Sequence, residues 1–213
     1  MLVRWHGHAC VEIQDSKGFR IVFDPHDGVS LGIKKPTVKA DLILISHDHF
    51  DHNAAHVVAK EDSQTLKMFH GEKTIKDVTV KGLLSYHDKT RGSQRGLNTI
   101  YVINVESKKI AHLGDLGDLP GEDILGELRG LDLLITPVGG RYTLEPEESW
   151  KLVELVNPLN ILPIHYRVKG LQLPIKPVEE FTKLVKGYNI VQLDENSFRL
   201  ENYTKSVIVP RLL

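Results

Sequence analysis

The octapeptide SHDHFDHN, residues 46–53, constrains what this chain can become more than any other stretch. It directly follows Leu42–Ile45, a continuous apolar run of the kind found in strands buried on both faces. Three histidines and two aspartates fall within it. One reading is a polar turn in which Asp48 or Asp51 caps the free amides of a following helix. The density of donors favours a metal site instead. His47 and His49 alternate, so an extended or tightly turning backbone brings both to one point, while Asp51 and His52 reach a neighbouring one. Imidazoles together with a carboxylate suit zinc, iron, cobalt or manganese.

The rest of the chain supplies further strand ends. Residues 1–14 read as a strand broken by the HGH of residues 6–8, and 19–24 as its returning partner. Asp24-Pro25 ends that strand, because proline restricts the residue before it and has no amide to donate. A turn-rich stretch runs from 26 to 40. NAAHVVAKE predicts a helix of two to three turns, 65–70 a short strand, and 74–86 one or two strands ending at His87. Residues 88–96, DKTRGSQRG, form a basic polar loop. TIYVIN and KKIAHLG predict a hairpin whose second strand delivers His112 and Asp115. Helices are predicted at 121–129, at 145–156 behind an acidic first turn, and from Pro177 to Gly187. Strands are predicted at 131–137 and 160–164, the latter ending at His165, with two or three more in 190–209. This alternation, with a hairpin at the start of both halves, predicts an α/β chain of two mixed β-sheets faced by helices rather than a parallel barrel. Residues 1–213 read as a single domain with pseudo-equivalent halves near 1–105 and 106–213.

A chain of 213 residues can bury one sizeable core, and 41% apolar with 26% charged residues places it among folded globular proteins. A formal net charge of -1 supplies no whole-chain field for a polyanion, which argues against a nucleic-acid partner while leaving room for local basic patches. No run approaches the ~18 apolar residues of a membrane helix, and no signal peptide is evident. The lone Cys10 excludes an internal disulfide and fits a reducing compartment, so the expected location is the cytoplasm.

Donors beyond the octapeptide share its placement: His87, Asp115 and His165 each follow a predicted strand. Loops at strand ends are where such scaffolds build sites, and seven donors suffice for two metals if one carboxylate bridges. Here the chain resembles the metallo-β-lactamase superfamily. It is similar in particular to the compact bacterial and archaeal zinc-dependent hydrolases that include the ascorbate-phosphate lactonase-like proteins. SHDHFDHN is similar to the HxHxDH signature, and His87, Asp115 in HLGD and His165 in PIHY to the later ligand positions in order and context. GHA at 7–9, DP at 24–25, RGLNT at 95–99 and PVGG at 137–140 also look like that subgroup.

The resemblance implies a four-layer αββα sandwich and two divalent metal ions, with zinc expected and manganese, iron or nickel compatible. It implies one metal on His47, His49 and His87, a second on Asp51, His52 and His165, Asp115 bridging, and a metal-bridging hydroxide that attacks carbonyl or phosphorus. Asp51 and Asp115 are then the catalytic candidates. His8 and His112 are candidates to hold a ligand or a substrate oxygen, and Asp24 to accept a proton from a ligating histidine. Arg91, Arg95, Arg141 and Arg167 follow His87, PVGG and His165 and are candidates for an anion-binding rim. Gly139-Gly140 reads as a tight turn near the site, since no phosphate-loop fingerprint accompanies it. The expected activity is metal-dependent hydrolysis of a small anionic ester, lactone or phosphate-bearing metabolite. A phosphodiesterase or nuclease is the alternative, and a non-catalytic metal-binding protein the third reading. A homo-oligomer that completes the pocket is compatible with so short a chain.

Overall fold

The computed structural model describes residues 1–213. The first sheet contains β1 (Leu2–Trp5), β2 (Val11–Gln14), β3 (Arg20–Phe23), β4 (Leu42–Ile45) and β5 (Gln64–Lys67), with the short helix α1 (Ala55–Val58) between the last two. The chain then builds most of a second sheet: β6 (Gly71–Ile75), β7 (Val78–Tyr86), β8 (Leu97–Val105) and β9 (Lys108–His112) form a meander. After α2 (Glu122–Glu127) come β10 (Leu133–Pro137), α3 (Pro146–Val156), β11 (Asn160–Ile164), α4 (Glu179–Thr182) and β12 (Asn189–Gln192). Finally β13 (Ser197–Arg199) returns to the first sheet and β14 (Ser206–Val209) to the second. The sheet orders are β13-β1-β2-β3-β4-β5 and β12-β14-β11-β10-β9-β8-β7-β6. Both are mixed, as expected: β3, β4 and β5 pair in parallel in one, and β9, β10, β11, β14 and β12 in the other.

Strand alternation explains how the layers seal. In β4, Leu42 and Leu44 enter the main core between the sheets, while Ile43 and Ile45 join Cys10, Val22 and Val58 on the outer face beneath α1. That is why LILI is apolar without interruption. Two contacts tie the sheets together beside the motif: Phe23 of β3 stacks on His112 of β9 with centroids 4.8 Å apart, and the Tyr101 hydroxyl of β8 donates to the Ile45 carbonyl at 3.1 Å.

The helical layers are thinner than the sequence predicts. The predicted helix after the motif is a single turn, since Ala54 provides no side-chain cap and Ala59 is already extended. The segment from Pro177 also yields only four helical residues. α3 runs for 11 residues because Glu145 and Glu148 form a capping box around Pro146, and Asn157 ends it in the left-handed region. No helix is long and apolar enough to cross a membrane.

Candidate metal centre

Four strand ends converge on one point. His47, His49, Asp51 and His52 lie in the turn leaving β4, while His87 follows β7, Asp115 follows β9 and His165 follows β11. All except His49 are buried. The Asp115 carboxylate is the hub. Its Oδ2 lies 3.1 Å from His87 Nε2, 3.3 Å from His165 Nε2 and 3.6 Å from His47 Nε2, and its Oδ1 lies 3.3 Å from His52 Nε2. Three overlapping donor groups lie here: His47 with His49 and His87, Asp51 with His8, His52 and His165, and Asp24 with His47 and His52, the ligand atoms of each group within 4.8 Å of one another.

A hydrogen-bond network behind the donors aims them. Asp24 accepts from the Ser46 amide at 2.7 Å, the Ser46 hydroxyl at 2.6 Å and His52 Nδ1 at 2.9 Å. The same Ser46 hydroxyl lies 2.9 Å from His47 Nδ1 and accepts its proton. With Nδ1 protonated, both rings present a bare Nε2 to the hub. Neither Nε2 has a hydrogen-bond partner, and neither has Asp115 Oδ1. A neutral His52 would direct a lone pair at two carboxylate oxygens, Asp51 Oδ2 and Asp115 Oδ1, each 3.3 Å away. Such an arrangement is repulsive unless a cation shares the space. Buried imidazoles and carboxylates in this disposition fit divalent metals. The backbone is strained at the same place: His8, Asp24 and His165 have φ of 52°, 43° and 53°.

The centre opens into a cleft of about 390 Å³ whose walls include Phe50, Gln94, Arg95, Tyr142 and Leu173. The Arg95 guanidinium lies 5.2 Å from the Tyr142 ring centroid. Asp88, the residue after His87, organises the loop that carries this arginine by accepting the amides of Thr90, Gly92, Gln94 and Arg95 at 2.7–3.0 Å.

A family profile described as the Beta-lactamase superfamily domain matches residues 2–165. The chain belongs to the metallo-β-lactamase superfamily. It is 35% identical over 208 residues to a UPF0173 metal-dependent hydrolase of Thermococcus onnurineus, an alignment covering 86% of this chain and 91% of the relative. A second UPF0173 metal-dependent hydrolase, from Thermus thermophilus, is 31% identical over 77% of this chain and 83% of its own. Among solved structures, a candidate Zn-dependent hydrolase of the metallo-β-lactamase superfamily from Thermotoga maritima superposes with a TM-score of 0.78 at 32% identity, covering 98% of this chain and 97% of the other. The chain is thus a member of a superfamily of metal-dependent hydrolases.

Within this metallo-β-lactamase site the charges are polarised. Burial, helped by neighbouring His165, pushes the His8 imidazole down to about 3, and burial with His52 does the same to His47. Burial also opposes charge on His52, but Asp115, Asp51 and Asp24 outweigh it and hold that ring well above 6.5. Burial works against both carboxylates, yet His52 draws Asp51 down, and His165 with His52 draws Asp115 down, well below the usual range. The carboxylates thus favour positive charge in the space between Asp51 and Asp115, the place a metal would take.

In the metal-free protein these shifts set a sign. His8, His26, His47, His49 and His112 are all depressed, so below 6.5 the unfolded chain binds their protons first and stability falls with falling pH. Asp24, Asp51 and Asp115 lie below the ordinary aspartate value and reinforce the loss at lower pH. Only His52 and His87 are raised; their contribution is present below 6.5 and is lost as pH rises through their folded values. The thermal midpoint of chelator-treated protein should therefore drop between about pH 6.5 and 4, His8 alone accounting for a few kcal/mol. A midpoint that rose over this window would show that the two raised histidines dominate.

Not every anticipated residue arrives at the centre. His112 turns both ring nitrogens to the backbone: its Nε2 donates to the Ala9 carbonyl at 2.8 Å and its Nδ1 accepts from the Gly114 amide at 3.1 Å, so it braces the turn that presents Asp115. Arg91 is exposed and has no place in the cleft wall. Arg167 lines a separate cleft with Trp5 and Tyr166, because the chain turns away after His165. Arg141 also lies over the Tyr142 ring, 5.6 Å from its centroid, and lines the adjoining cleft. His8 Nε2 lies 2.8 Å from Asp51 Oδ2, and Asp24 Oδ2 lies 2.9 Å from His52 Nδ1.

Sequence reasoning passed over Ser46, Asn98, Asp88 and Tyr142. Asn98 Oδ1 accepts the Asp115 amide at 3.0 Å and its Nδ2 donates to the Leu113 carbonyl at 2.9 Å. The available signal was an asparagine just inside a strand start, ahead of the apolar run Ile100–Ile103. Replacing Asp24 with Asn removes the charge behind His52 and leaves one acceptor oxygen for three donors, and should weaken metal affinity about 10–100-fold with the fold intact. Competition against a calibrated chelator measures this, and unchanged affinity would reduce Asp24 to a turn residue.

Proposed function

We propose that the chain is a two-metal hydrolase, loaded with zinc, that acts on a small anionic ester, lactone or phosphate-bearing metabolite. The observation that carries this reading is the Asp115 carboxylate, buried among four histidine Nε2 atoms at 3.1–3.6 Å. His47, His49 and His87 would hold one cation and Asp51, His52 and His165 the other, with Asp115 between them. The pair, when bound, supplies Lewis acidity and lowers the pKa of water.

The remaining tasks fall to the chain itself. Asp24 and Ser46 keep His47 and His52 in the tautomer that ligates. His8, neutral near pH 7, donates Nε2–H to Asp51 and fixes the carboxylate that orients the attacking water or takes up its proton. Two divalent cations against two carboxylates leave an excess of positive charge, which favours an anionic substrate. Arg95 sits at the cleft wall with its guanidinium over Tyr142, where a planar fork can meet carboxylate or phosphate. A cleft of about 390 Å³ suits a small molecule.

The decisive experiment screens metal-reconstituted protein against lactones, carboxylic esters, phosphodiesters and thioesters, with His47→Ala as control and elemental analysis of both. Two metals per chain and turnover confined to the wild type are expected; equal rates on every substrate would sink the proposal. Within the responsive class, Arg95→Ala should raise KM for anionic substrates about tenfold with metal content and kcat nearly unchanged. Equal KM values in the two proteins would take Arg95 out of substrate binding.

A further inference from the structure

We propose that a second, metal-independent site on the outer face of the first sheet binds a small molecule carrying two phosphate groups. Strand β2 shows why this face is unusual. Val11 and Ile13 enter the core between the sheets, so the pleat turns Glu12 to the opposite face, where it is nonetheless only 1% exposed. A buried carboxylate requires partners, and it has a surplus. Arg4, its direct cross-strand neighbour, donates at 2.9 Å, His6 Nε2 lies at 2.9 Å, and Arg20 Nε lies at 3.5 Å.

Glu12 thereby hydrogen-bonds one guanidinium and holds a second in a looser ion pair, and both arginines line a cleft of about 490 Å³. Lys34 and Lys35 stand exposed on its wall and enter none of the ion pairs around Glu12. Lys39 also lines the wall, but its ammonium is taken up by the carbonyls of Val57 and Ala59. The buried Arg20 Nε has no hydrogen-bond partner. Two arginines at Glu12 and two free lysines on the wall thus face one cleft whose only acidic side chain is Glu12, a local excess of positive charge in a chain whose formal net charge is -1. A single carboxylate ligand would leave most of that excess unmatched, whereas two phosphate monoesters, each carrying about -1.5 to -2, balance it. Arginine forks held by a buried anchor, with flexible lysines at the rim, are a phosphate-binding combination. The lining is mostly polar and has no residue in common with the cleft of the metal centre.

Isothermal titration of the metal-loaded protein with fructose 1,6-bisphosphate at low salt, with fructose as the neutral control, tests the site. One bisphosphate per chain is expected, with no heat from fructose. Lys34→Ala/Lys35→Ala, two exposed substitutions, should weaken binding at least about tenfold. His47→Ala, and the charge-matched Lys151→Ala/Lys186→Ala on distant surface, should leave it within about twofold. Loss in His47→Ala with retention in the Lys34/Lys35 variant would assign the anion to the metal centre and overturn the proposal. Equal weakening in both lysine pairs would reduce it to diffuse surface charge, and absence of binding would also refute it.

Discussion

Asp115→Asn is expected to cut hydrolysis on the order of 10³-fold while the chain stays folded, a loss of the size seen when a dominant electrostatic group is removed. The substitution preserves shape. The backbone amide of residue 115 still reaches Asn98, and the turn is still braced by His112. What disappears is the negative charge that four Nε2 atoms face at 3.1–3.6 Å. An amide offers one weaker acceptor and a competing donor, so it cannot serve two cations. Elemental analysis should find fewer than two metals per chain, with an unchanged circular dichroism spectrum. An Asn variant that kept both metals and its rate would place the shared ligand elsewhere.

Gly139→Ala is expected to lose about 3 kcal/mol of stability or more, and with it the metal on the His165 side. A Cβ at this position would lie 2.1 Å from the His165 carbonyl oxygen, a backbone atom that cannot swing aside. The parallel pair β10–β11 runs in register to Pro137 and Ile164, and the Gly139 carbonyl accepts the Lys176 amide at 2.8 Å, so both neighbours are fixed. The methyl group must therefore push apart the two strand ends that present His165. Thermal unfolding should fall by about 6–12 °C for a chain of this size. Metal stoichiometry should drop at the Asp51, His52 and His165 group before the His47, His49 and His87 group. Gly126→Ala, in the last turn of α2 where nothing lies within 4 Å, provides the contrast and should be neutral or slightly stabilising. Equal midpoints for the two variants would remove the close approach as the cause.

Much of this protein was legible in one dimension. Continuous apolar runs marked β4, β10 and β11 because both faces of these strands are covered, alternation over 74–86 marked β7, and the paired runs TIYVIN and KKIAHLG marked the β8–β9 hairpin, while most of β6 was not read. Donors lying just past those runs pointed to one edge of the fold. Helix length was read less well: α1 and α4 carry helix-forming residues, yet lack the caps and continuing buried stripe that sustain α3. The basic loop residues were the least legible. Arg91, Arg95, Arg141 and Arg167 look alike in sequence, but Asp88 folds the loop so that Arg95 enters the cleft and Arg91 faces solvent.

What the sequence determined by itself is local: the strands, the chemistry of the donors, and their place at strand ends, all set by residues a few positions apart. What only the tertiary structure decided is who meets whom. His8 finds Asp51 across 43 positions, His52 finds Asp24 across 28, and His112 is spent on a backbone carbonyl 103 positions away. Those partners depend on which loops close against which, through long-range hydrogen bonds and packing that no neighbouring residue encodes.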